Sequence, residues 1–238
     1  MRPLFITGIG TDVGKTLVSA ILTEALQAAY WKPVQAGFAQ GTDSQWIAGV
    51  VSDPDITIFP ETYKLSMPAS PHIAAREEGV QISLDRILEQ FRKFTATPPP
   101  SSQAFSAVTT PPPSARPGPG SAGFLVIEGA GGLLVPLNDH EFVLDLALRL
   151  DAAVILVSRN YLGSINHSLM TAAICKARGL KVAGWIFNDQ YGHYEPEIVR
   201  WSGIRAIASI PFSDQPDRDF VRGQASRIRE DLLRTINV

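Results

Sequence analysis

Residues 4–16 read LFITGIGTDVGKT, an apolar run followed by a glycine-rich loop that ends in Gly14-Lys15-Thr16. Together with a helical pattern over 16–29, this order is typical of a strand, a phosphate-binding loop and a helix. Glycines let several backbone N–H groups point at one anion, and the start of the helix adds its dipole. The strict loop pattern would place a glycine where this chain has Ile9, although glycines flank that position. We predict nucleotide binding, with Lys15 at the phosphates and Thr16 on Mg²⁺; the alternative is an ordinary glycine-rich turn.

Further apolar runs alternate with helical patterns along the chain. Strands are predicted at 124–127, 153–157, 182–187 and 204–210, and helices at about 165–177 and 222–236. This alternation predicts an α/β fold with a doubly wound, mostly parallel sheet and helices on both faces. In such sheets ligands bind beyond the carboxyl ends of the strands, which is where the predicted phosphate loop lies.

The composition excludes several classes of protein. The chain has 238 residues, a net charge of −2 and 45% hydrophobic residues, so we expect neither nucleic-acid nor membrane-surface binding through bulk charge. Its one cysteine, Cys175, excludes an internal disulfide, and its position in an apolar helix favours core packing. No apolar stretch reaches the roughly 18 residues of a membrane span, and the first apolar run is too short for a signal peptide. We therefore expect a cytoplasmic protein.

Proline is concentrated in one segment. Of the 18 prolines, 8 lie between Thr95 and Gly123, in a stretch with one charged residue, Arg116. Proline lacks a backbone donor, and Ser, Thr and Gly bury little apolar area, so we predict a disordered or polyproline-like insertion over 95–123. A ligand for a proline-binding module is the other interpretation, but the stretch has no strict PxxP spacing. Candidate site residues lie on both sides of the insertion, so we expect a single domain over 1–238.

Acidic and basic residues stand where a phosphate loop needs partners. Glu128 directly follows the predicted strand 124–127 and precedes Gly129-Ala130-Gly131-Gly132, which favours a metal ligand over a solvated strand end. Asp43 is either a second metal ligand or a simple helix N-cap. Lys32, predicted inside a short strand, would offset charge on a transferred phosphoryl group; the alternative is a surface lysine.

Eight motifs together resemble the dethiobiotin synthetase family, the ATP-dependent enzymes of biotin synthesis. The motifs are TGIGTDVGKT (7–16), KPVQAG (32–37), TDS (42–44), SPHIAA (70–75), VIEGAGGLLVPL (126–137), LGSINH (162–167), AGWIFND (183–189) and IPF (210–212). They occur in the family order on both sides of the proline-rich segment. Several are short, but their joint occurrence is specific.

The resemblance implies a reaction and a homodimer. CO₂ would form a carbamate on 7,8-diaminononanoate, ATP would phosphorylate that carbamate, and the second amine would close the ureido ring. By the same resemblance Thr11, Lys15 and Lys32 are catalytic, and Thr16, Asp43 and Glu128 bind Mg²⁺. ATP contacts are implied for Asp12, Val13, Gly14, Lys15, Thr16, Glu128, Gly131, Asn188 and Pro211, the last two at the adenine. Substrate contacts are implied for Asp12, Lys32, Ala36, Gly163, Ser164, Ile165 and Asn166, with 163–166 reaching the substrate carboxylate of the partner subunit.

The chain departs from the family pattern at three places. Ala36 stands where many members carry Ser or Thr, and Asp12 replaces the Glu of some members. The link from the first helix to Lys32 is several residues short, so we expect an abrupt junction or a curtailed second strand.

Three other classes remain as alternatives. A partition or cell-division ATPase would carry a second lysine at the position of Gly10. A cobyrinate-type amidase or synthetase would need a glutaminase domain with a catalytic cysteine, or a partner subunit. A pure nucleotide-binding module would not need two lysines together with two acidic residues.

Overall fold

The computed structural model describes residues 1–96, 123–189 and 192–236. Of the predicted insertion over 95–123, only Thr95, Ala96 and Gly123 belong to these ranges. Thr95 and Ala96 are the last residues of a helix that begins at Leu84, so the prediction of a disordered or polyproline-like insertion is wrong for these two residues. Residues 97–122 lie outside the described residues, and for them it stays a prediction. Gly123 is joined to the start of the chain, because its carbonyl accepts a hydrogen bond of 2.8 Å from the Arg2 backbone N–H.

Strands and helices alternate along most of the chain. The strands are β1 (Arg2–Gly8), β2 (Ala29–Trp31), β3 (Val34–Ala36), β4 (Ile58–Phe59), β5 (Tyr63–Leu65), β6 (Phe124–Gly132), β7 (Ala153–Arg159), β8 (Lys181–Asn188) and β9 (Ala206–Ile210). The helices are α1 (Lys15–Leu26), α2 (Asp43–Val50), α3 (Pro71–Glu77), α4 (Leu84–Ala96), α5 (Val143–Arg149), α6 (Ser164–Ala177), α7 (Tyr194–Ser202) and α8 (Arg218–Ile236). In the ranges that the structure describes, no helix is long and apolar enough to cross a membrane.

A parallel sheet of seven strands forms the centre of the fold. Its strand order is β4-β2-β6-β1-β7-β8-β9, and every pair within it is parallel. Strand β6, which follows the proline-rich segment in sequence, lies between β1 and β2, which precede it. Strands β3 and β5 form a separate parallel pair. The predicted α/β fold with a doubly wound, mostly parallel sheet is confirmed.

Each long strand contributes residues to two hydrophobic cores, one on each face of the sheet. On β1, Phe5 belongs to the core covered by α4, α5, α6 and α7, whereas Ile6 belongs to the core covered by α1, α2 and α8. Strand β6 follows the same rule, with Ile127 in the first core and Val126 in the second. Successive side chains of a strand point to opposite faces, so strands covered on both faces read as continuous apolar runs.

Helix α1 ends earlier than the helix predicted over 16–29, and its junction with β2 is abrupt. Helix α1 ends at Leu26, Gln27 takes a left-handed conformation with φ of 49°, and β2 already begins at Ala29. The prediction that Lys32 lies inside a strand is wrong, because Lys32-Pro33 separates β2 from β3. Proline has no N–H for the sheet ladder, and pairing of this chain segment moves from the large sheet to the small one at that point.

Candidate active site

The phosphate loop connects β1 to α1 at the carboxyl end of the sheet. Gly14 caps α1 with φ of 87°, a left-handed conformation that favours glycine. A Cβ on Gly14 would lie 2.4 Å from Asn188 Nδ2, so the loop also needs glycine there for space. Asp12 takes a positive φ of 56° without being glycine. The loop is therefore a tight backbone turn directly before a helix N-terminus, a geometry suited to binding phosphate.

Lys15 is buried at the start of α1 and folds back over the loop. Its Nζ donates a 2.8 Å hydrogen bond to the Gly10 carbonyl. Burial lowers the pKa of Lys15 from its ordinary value of 10.5 against the raising effect of Glu128, and the nearby charge of Lys32 adds to the lowering. The ammonium thus lies within the loop that would hold a triphosphate.

Glu128 is buried within β6 and brings an acidic group to Thr16. Its Oε1 lies 2.9 Å from Thr16 Oγ1, although the two residues are 112 positions apart in sequence. The parallel register places Glu128 beside Ile6 of β1, and α1 begins just beyond the end of that strand. The first turn of α1 and the carboxyl half of β6 therefore meet at one place.

Asp43 is not the N-cap of α2, which was one of its two interpretations from sequence. The cap is Thr42, whose Oγ1 accepts a 3.2 Å hydrogen bond from the Gln45 N–H in a capping box. The Asp43 carboxylate is consequently left to face the loop, and its Oδ1 lies 3.1 Å from Thr16 Oγ1. Gln35 of β3 holds this helix start in place, because its Oε1 accepts from the Asp43 N–H at 3.3 Å.

Lys32 lies between the two carboxylates and is not a surface lysine. Its Nζ is 3.0 Å from Glu128 Oε1 and also contacts Asp43 Oδ2. Burial alone would lower the pKa of Lys32, but the charges of Glu128 and Asp43 and their hydrogen bonds outweigh it, so the pKa is raised. The Lys32 side chain is therefore protonated at neutral pH, although the residue is only 7% exposed.

The donor set around Thr16 fits a magnesium ion. One hydroxyl and two carboxylates converge, all of them oxygen donors, and Mg²⁺ sites commonly use one or two carboxylates together with substrate phosphates. Within the part of the chain that the structure describes, no group of three or more His, Cys, Asp or Glu side chains could hold a metal ion. A site completed by a nucleotide matches Thr16, Asp43 and Glu128 better than a site built only from the protein.

Two cavities meet at the phosphate loop. The larger, of about 740 Å³, includes Lys15, Thr16, Lys32, Asp43 and Glu128 among its lining residues. It also reaches Ala36, Gly131 and the segment Pro68–Pro71. The smaller, of about 530 Å³, is lined by Thr11, Asp12, Val13, Arg159, Asn160, Tyr161, Asp189 and Phe212. Thr11 and Asp12 line both, so these two residues lie where the cavities join.

The residues expected at the nucleotide base lie at the ends of β8 and β9. Asn188 is buried, and its Nδ2 donates a 2.6 Å hydrogen bond to the Val13 carbonyl. Its Oδ1 has no hydrogen-bond partner among the described residues. Pro211 is exposed and directly precedes Phe212, which lines the smaller cavity. Neither Asn188 nor Pro211 lines either of these two cavities, but each directly precedes a residue that lines the smaller one, Asp189 and Phe212.

The segment 163–166 forms the N-terminus of α6 and lines neither of the two cavities, although Tyr161 just before it lines the smaller one. Gly163 and Asn166 are exposed, and Ile165 packs partly against the core. Ser164 is buried, and its Oγ accepts a hydrogen bond of 3.3 Å from the Tyr161 N–H. Of the predicted substrate residues, the structure thus brings Asp12, Lys32 and Ala36 together, but not 163–166.

Sequence reasoning missed two polar residues that support the acidic pair. Tyr30 donates a 3.0 Å hydrogen bond to Glu128 Oε2, and Gln35 supports Asp43. An aromatic residue in an apolar strand is ordinarily part of the core, so the sequence around Tyr30 gave no signal of a role at the site. Gln35 lies within the KPVQAG motif, and a glutamine inside a buried strand was the available signal.

Cys175 is a core residue, as predicted. It is 1% exposed in the core beneath α6, and burial raises the pKa of its thiol to about 12. A nucleophilic cysteine needs a lowered pKa and access to its substrate. Cys175 therefore does not provide the catalytic thiol that a glutaminase would require.

Solved structures with a similar fold are ATPases of the partition and cell-division type. A putative plasmid partition protein from Borrelia burgdorferi, bound to AMPPNP, matches with a TM-score of 0.53 and 11% identity over 98% of both chains. A ParA family ATPase from Chlorobium tepidum matches with a TM-score of 0.52 and 11% identity, covering 100% of this chain and 94% of the other. At such low identity these likenesses show the fold alone.

Sequence relatives are far more similar. A family model described as an AAA domain matches residues 2–219. The protein named ATP-dependent dethiobiotin synthetase BioD from Cytophaga hutchinsonii is 41% identical over 96% of this chain and 97% of its own length. Proteins of the same name from Christiangramia forsetii and Rhodopseudomonas palustris are each 38% identical, over 97% and 96% of this chain and 98% and 97% of their own. The chain therefore belongs to the ATP-dependent dethiobiotin synthetase family.

Proposed function

We propose that this protein closes the ureido ring of dethiobiotin from 7,8-diaminononanoate, CO₂ and ATP. The observation that carries the proposal is the position of two buried lysines at one cavity, Lys15 in the phosphate loop and Lys32 between Asp43 and Glu128. A nucleotide switch needs a phosphate loop and a metal site, whereas a second ammonium suits an acid that is being phosphorylated. The identity to ATP-dependent dethiobiotin synthetases over nearly the whole chain supports the same reaction.

The proposed chemistry has three balanced steps. One substrate amine attacks CO₂ and loses a proton, which gives a carbamate. A carbamate oxygen then attacks the γ-phosphorus of ATP, and ADP leaves. Finally the second amine attacks the carbonyl carbon of the mixed anhydride, loses a proton and expels inorganic phosphate. Dethiobiotin, ADP and phosphate are the products.

The residues of the larger cavity can be matched to charges that develop in these steps. Lys15 would donate to the terminal phosphates, because its hydrogen bond to the Gly10 carbonyl holds its Nζ at the phosphate loop. Lys32 would stabilise the carbamate and the transferring phosphoryl group, because its raised pKa keeps it cationic. Thr11 and Asp12 lie at the junction of the cavities, where the amines of the substrate would meet the nucleotide.

Thr16, Asp43 and Glu128 would hold Mg²⁺. When bound, such an ion neutralises charge on the β- and γ-phosphates during transfer. The role of the chain is to fix the three donors, which it does through the start of α1, the capped start of α2 and the buried β6. The Lys32 ammonium beside both carboxylates is itself evidence that this place favours a cation.

The smaller cavity would take the nucleoside of ATP. Asn188 Oδ1, buried and without a partner among the described residues, is an acceptor of the kind that an amino group of a base requires. Val13 lines the smaller cavity, and Gly14 and Gly131 line the larger one. Gly131 has φ of 67°, and a Cβ there would lie 2.7 Å from Val135 Cγ2. Pro211 and Phe212 would flank the base at the end of β9.

We propose a homodimer in which the start of α6 from one subunit completes the site of the other. Gly163 and Asn166 are exposed at a helix N-terminus, a place suited to a carboxylate. Leu162, just before α6, and Met170, within it, are 79% and 55% exposed, and large apolar side chains exposed in one region mark interaction sites. A Leu162→Glu variant should shift to monomer in sedimentation analysis and raise the KM for diaminononanoate; an unchanged dimer would contradict this assignment.

We propose that residues 1–238 form a single domain and that the protein is located in the cytoplasm. One cavity uses Lys15, Lys32 and Asp43 from before the proline-rich segment and Glu128 from after it, which supports one domain over 1–238. ATP as co-substrate supports the location.

The decisive experiment measures ADP release with ATP alone and with ATP, diaminononanoate and bicarbonate. We expect release to depend on both added substrates, and dethiobiotin to form in equal amount. Hydrolysis that is independent of the substrates would contradict the proposal and favour a switch ATPase. Product identity by mass spectrometry separates ring closure from simple carboxylation.

A further inference from the structure

Glu128 has both carboxylate oxygens engaged, and the two oxygens have different partners. Oε1 lies within 3.0 Å of Thr16 Oγ1 and Lys32 Nζ, on the side of the larger cavity. Oε2 accepts a 3.0 Å hydrogen bond from the phenolic O–H of Tyr30, on the buried side. Glu128 is 1% exposed and Tyr30 is fully buried, so this second contact is made away from solvent.

The strand register explains why the phenol reaches this carboxylate. Tyr30 of β2 is paired with Val126 of β6, and Glu128 lies two residues further along the same strand. Residues i and i+2 of a strand share one face, so Val126 and Glu128 point to the face on which Tyr30 also packs. Phenylalanine would fill the same space in the core, but only tyrosine carries a donor at the end of the ring.

The phenol is a donor throughout the neutral pH range. Burial, and then the nearby charges of Glu128 and Asp43, raise the pKa of Tyr30 well above its ordinary value of 10.0. A neutral O–H facing a carboxylate can only donate. A buried polar atom without a partner is costly, so the contact fixes the rotation of the Glu128 side chain.

We propose that Tyr30 is a positioning residue that orients Glu128 so that Oε1 faces Thr16 and Lys32, where Mg²⁺ would be held. The inference rests on the proposed function, because it takes Glu128 as a magnesium ligand. Residues that hydrogen-bond to a metal-ligating carboxylate set its orientation. Their loss weakens metal binding although they do not contact the metal. Tyr30 itself contacts neither of the two cavities.

The test compares Tyr30→Phe with Tyr63→Phe in the full-length protein. Tyr63 is a matched control, because it is also buried and its hydroxyl also makes one hydrogen bond, accepted from the Ser83 N–H at 3.0 Å. For each variant, calorimetry gives the dissociation constant of AMPPNP in excess Mg²⁺ and in EDTA. The ratio of the two constants measures the contribution of the metal, and it is a binding readout independent of turnover.

We expect Tyr30→Phe to reduce the Mg²⁺-dependent gain in AMPPNP affinity about tenfold and to leave the affinity in EDTA unchanged. Tyr63→Phe should retain the wild-type ratio. A wild-type ratio in Tyr30→Phe would overturn the inference. Equal losses of affinity in Mg²⁺ and in EDTA, or loss of the fold in Tyr30→Phe but not in Tyr63→Phe, would also overturn it, since either indicates a packing role.

Glu128→Gln separates this inference from the proposed function. If Tyr30 acts through Glu128, adding Tyr30→Phe to Glu128→Gln should lower the ratio no further. A wild-type ratio in Glu128→Gln would show that the proposed metal site is wrong. If Glu128→Gln loses the Mg²⁺-dependent gain in AMPPNP affinity and Tyr30→Phe keeps it, the proposed metal site is supported and only the role of Tyr30 is overturned.

Discussion

Lys32 Nζ lies 3.0 Å from Glu128 Oε1, although the two residues are 96 positions apart in the chain. Lys32 directly follows β2, and Glu128 belongs to the neighbouring strand β6. Both are almost fully buried, so their charges depend on each other and on Asp43. This cluster is where the fold, the proposed metal site and the proposed phosphoryl transfer meet.

Removing the Lys15 ammonium should abolish turnover and preserve the fold. The group lies in the phosphate loop and makes one hydrogen bond, to Gly10 O, so Lys15→Ala removes charge stabilisation with little loss of packing. We expect substrate-dependent ADP release to fall at least about 100-fold. Steady-state assays measure the release, and circular dichroism with thermal unfolding checks the fold. Turnover near the wild-type rate would refute the mechanism.

Removing the Lys32 ammonium should reduce both turnover and stability. Lys32→Met leaves Asp43 and Glu128 close together without their cation, and breaking a buried ion pair costs about 3 kcal/mol. Chemical denaturation in EDTA measures the loss. Lys93→Met is the control, because Lys93 pairs with Glu89 on the surface, where such a pair is worth less than about 1 kcal/mol. Equal losses of unfolding free energy in the two variants would contradict the prediction that the ion pairs of Lys32 stabilise the fold.

Alkaline pH should destabilise the protein partly through Tyr30. A pKa raised by folding contributes stability that is complete below the unfolded value and is lost as the pH rises through the folded value. Tyr30, raised well above 10.0, and Lys32, raised above 10.5, both act in this direction, whereas Lys15, lowered, acts in the opposite one. The free energy of unfolding of Tyr30→Phe, measured in EDTA, should therefore fall less steeply above pH 10 than that of the wild type. An unchanged slope would contradict the prediction.

Deleting Thr97–Pro119 should leave turnover and the melting temperature nearly unchanged. The site residues on either side are held by the pairing of β6 with β1 and β2, and by the hydrogen bond from the Arg2 N–H to the Gly123 carbonyl. The entropic cost of closing a loop depends only weakly on its length, so shortening the segment should change stability little. Activity assays and thermal unfolding of the deletion variant check this. A large loss of either would mean that the segment packs on the protein or binds a partner.

The sequence by itself determined the fold class and most of the candidate site. Continuous apolar runs such as 153–157 predict strands covered on both faces, and the order strand, GIGTDVGKT, helix places the phosphate loop at the carboxyl end of β1. Glu128 was predictable for the same reason, because it ends an apolar run and precedes four small residues. Such features depend on local residue order, which a sequence displays directly.

Only the tertiary structure decided how the charges are paired. Lys32 leaves the sheet between two short strands, and its partners come from α2 and β6; Asp43 faces the loop because Thr42, one residue earlier, takes the capping position. The hydrogen bond between Tyr30 and Glu128, which are 98 positions apart, depends on the register of β2 against β6. Burial makes these pairings energetically decisive, since an unpaired charge in the core costs far more than one in water. Hydrophobic pattern and motif therefore identify the groups at this site, whereas packing decides which of them touch.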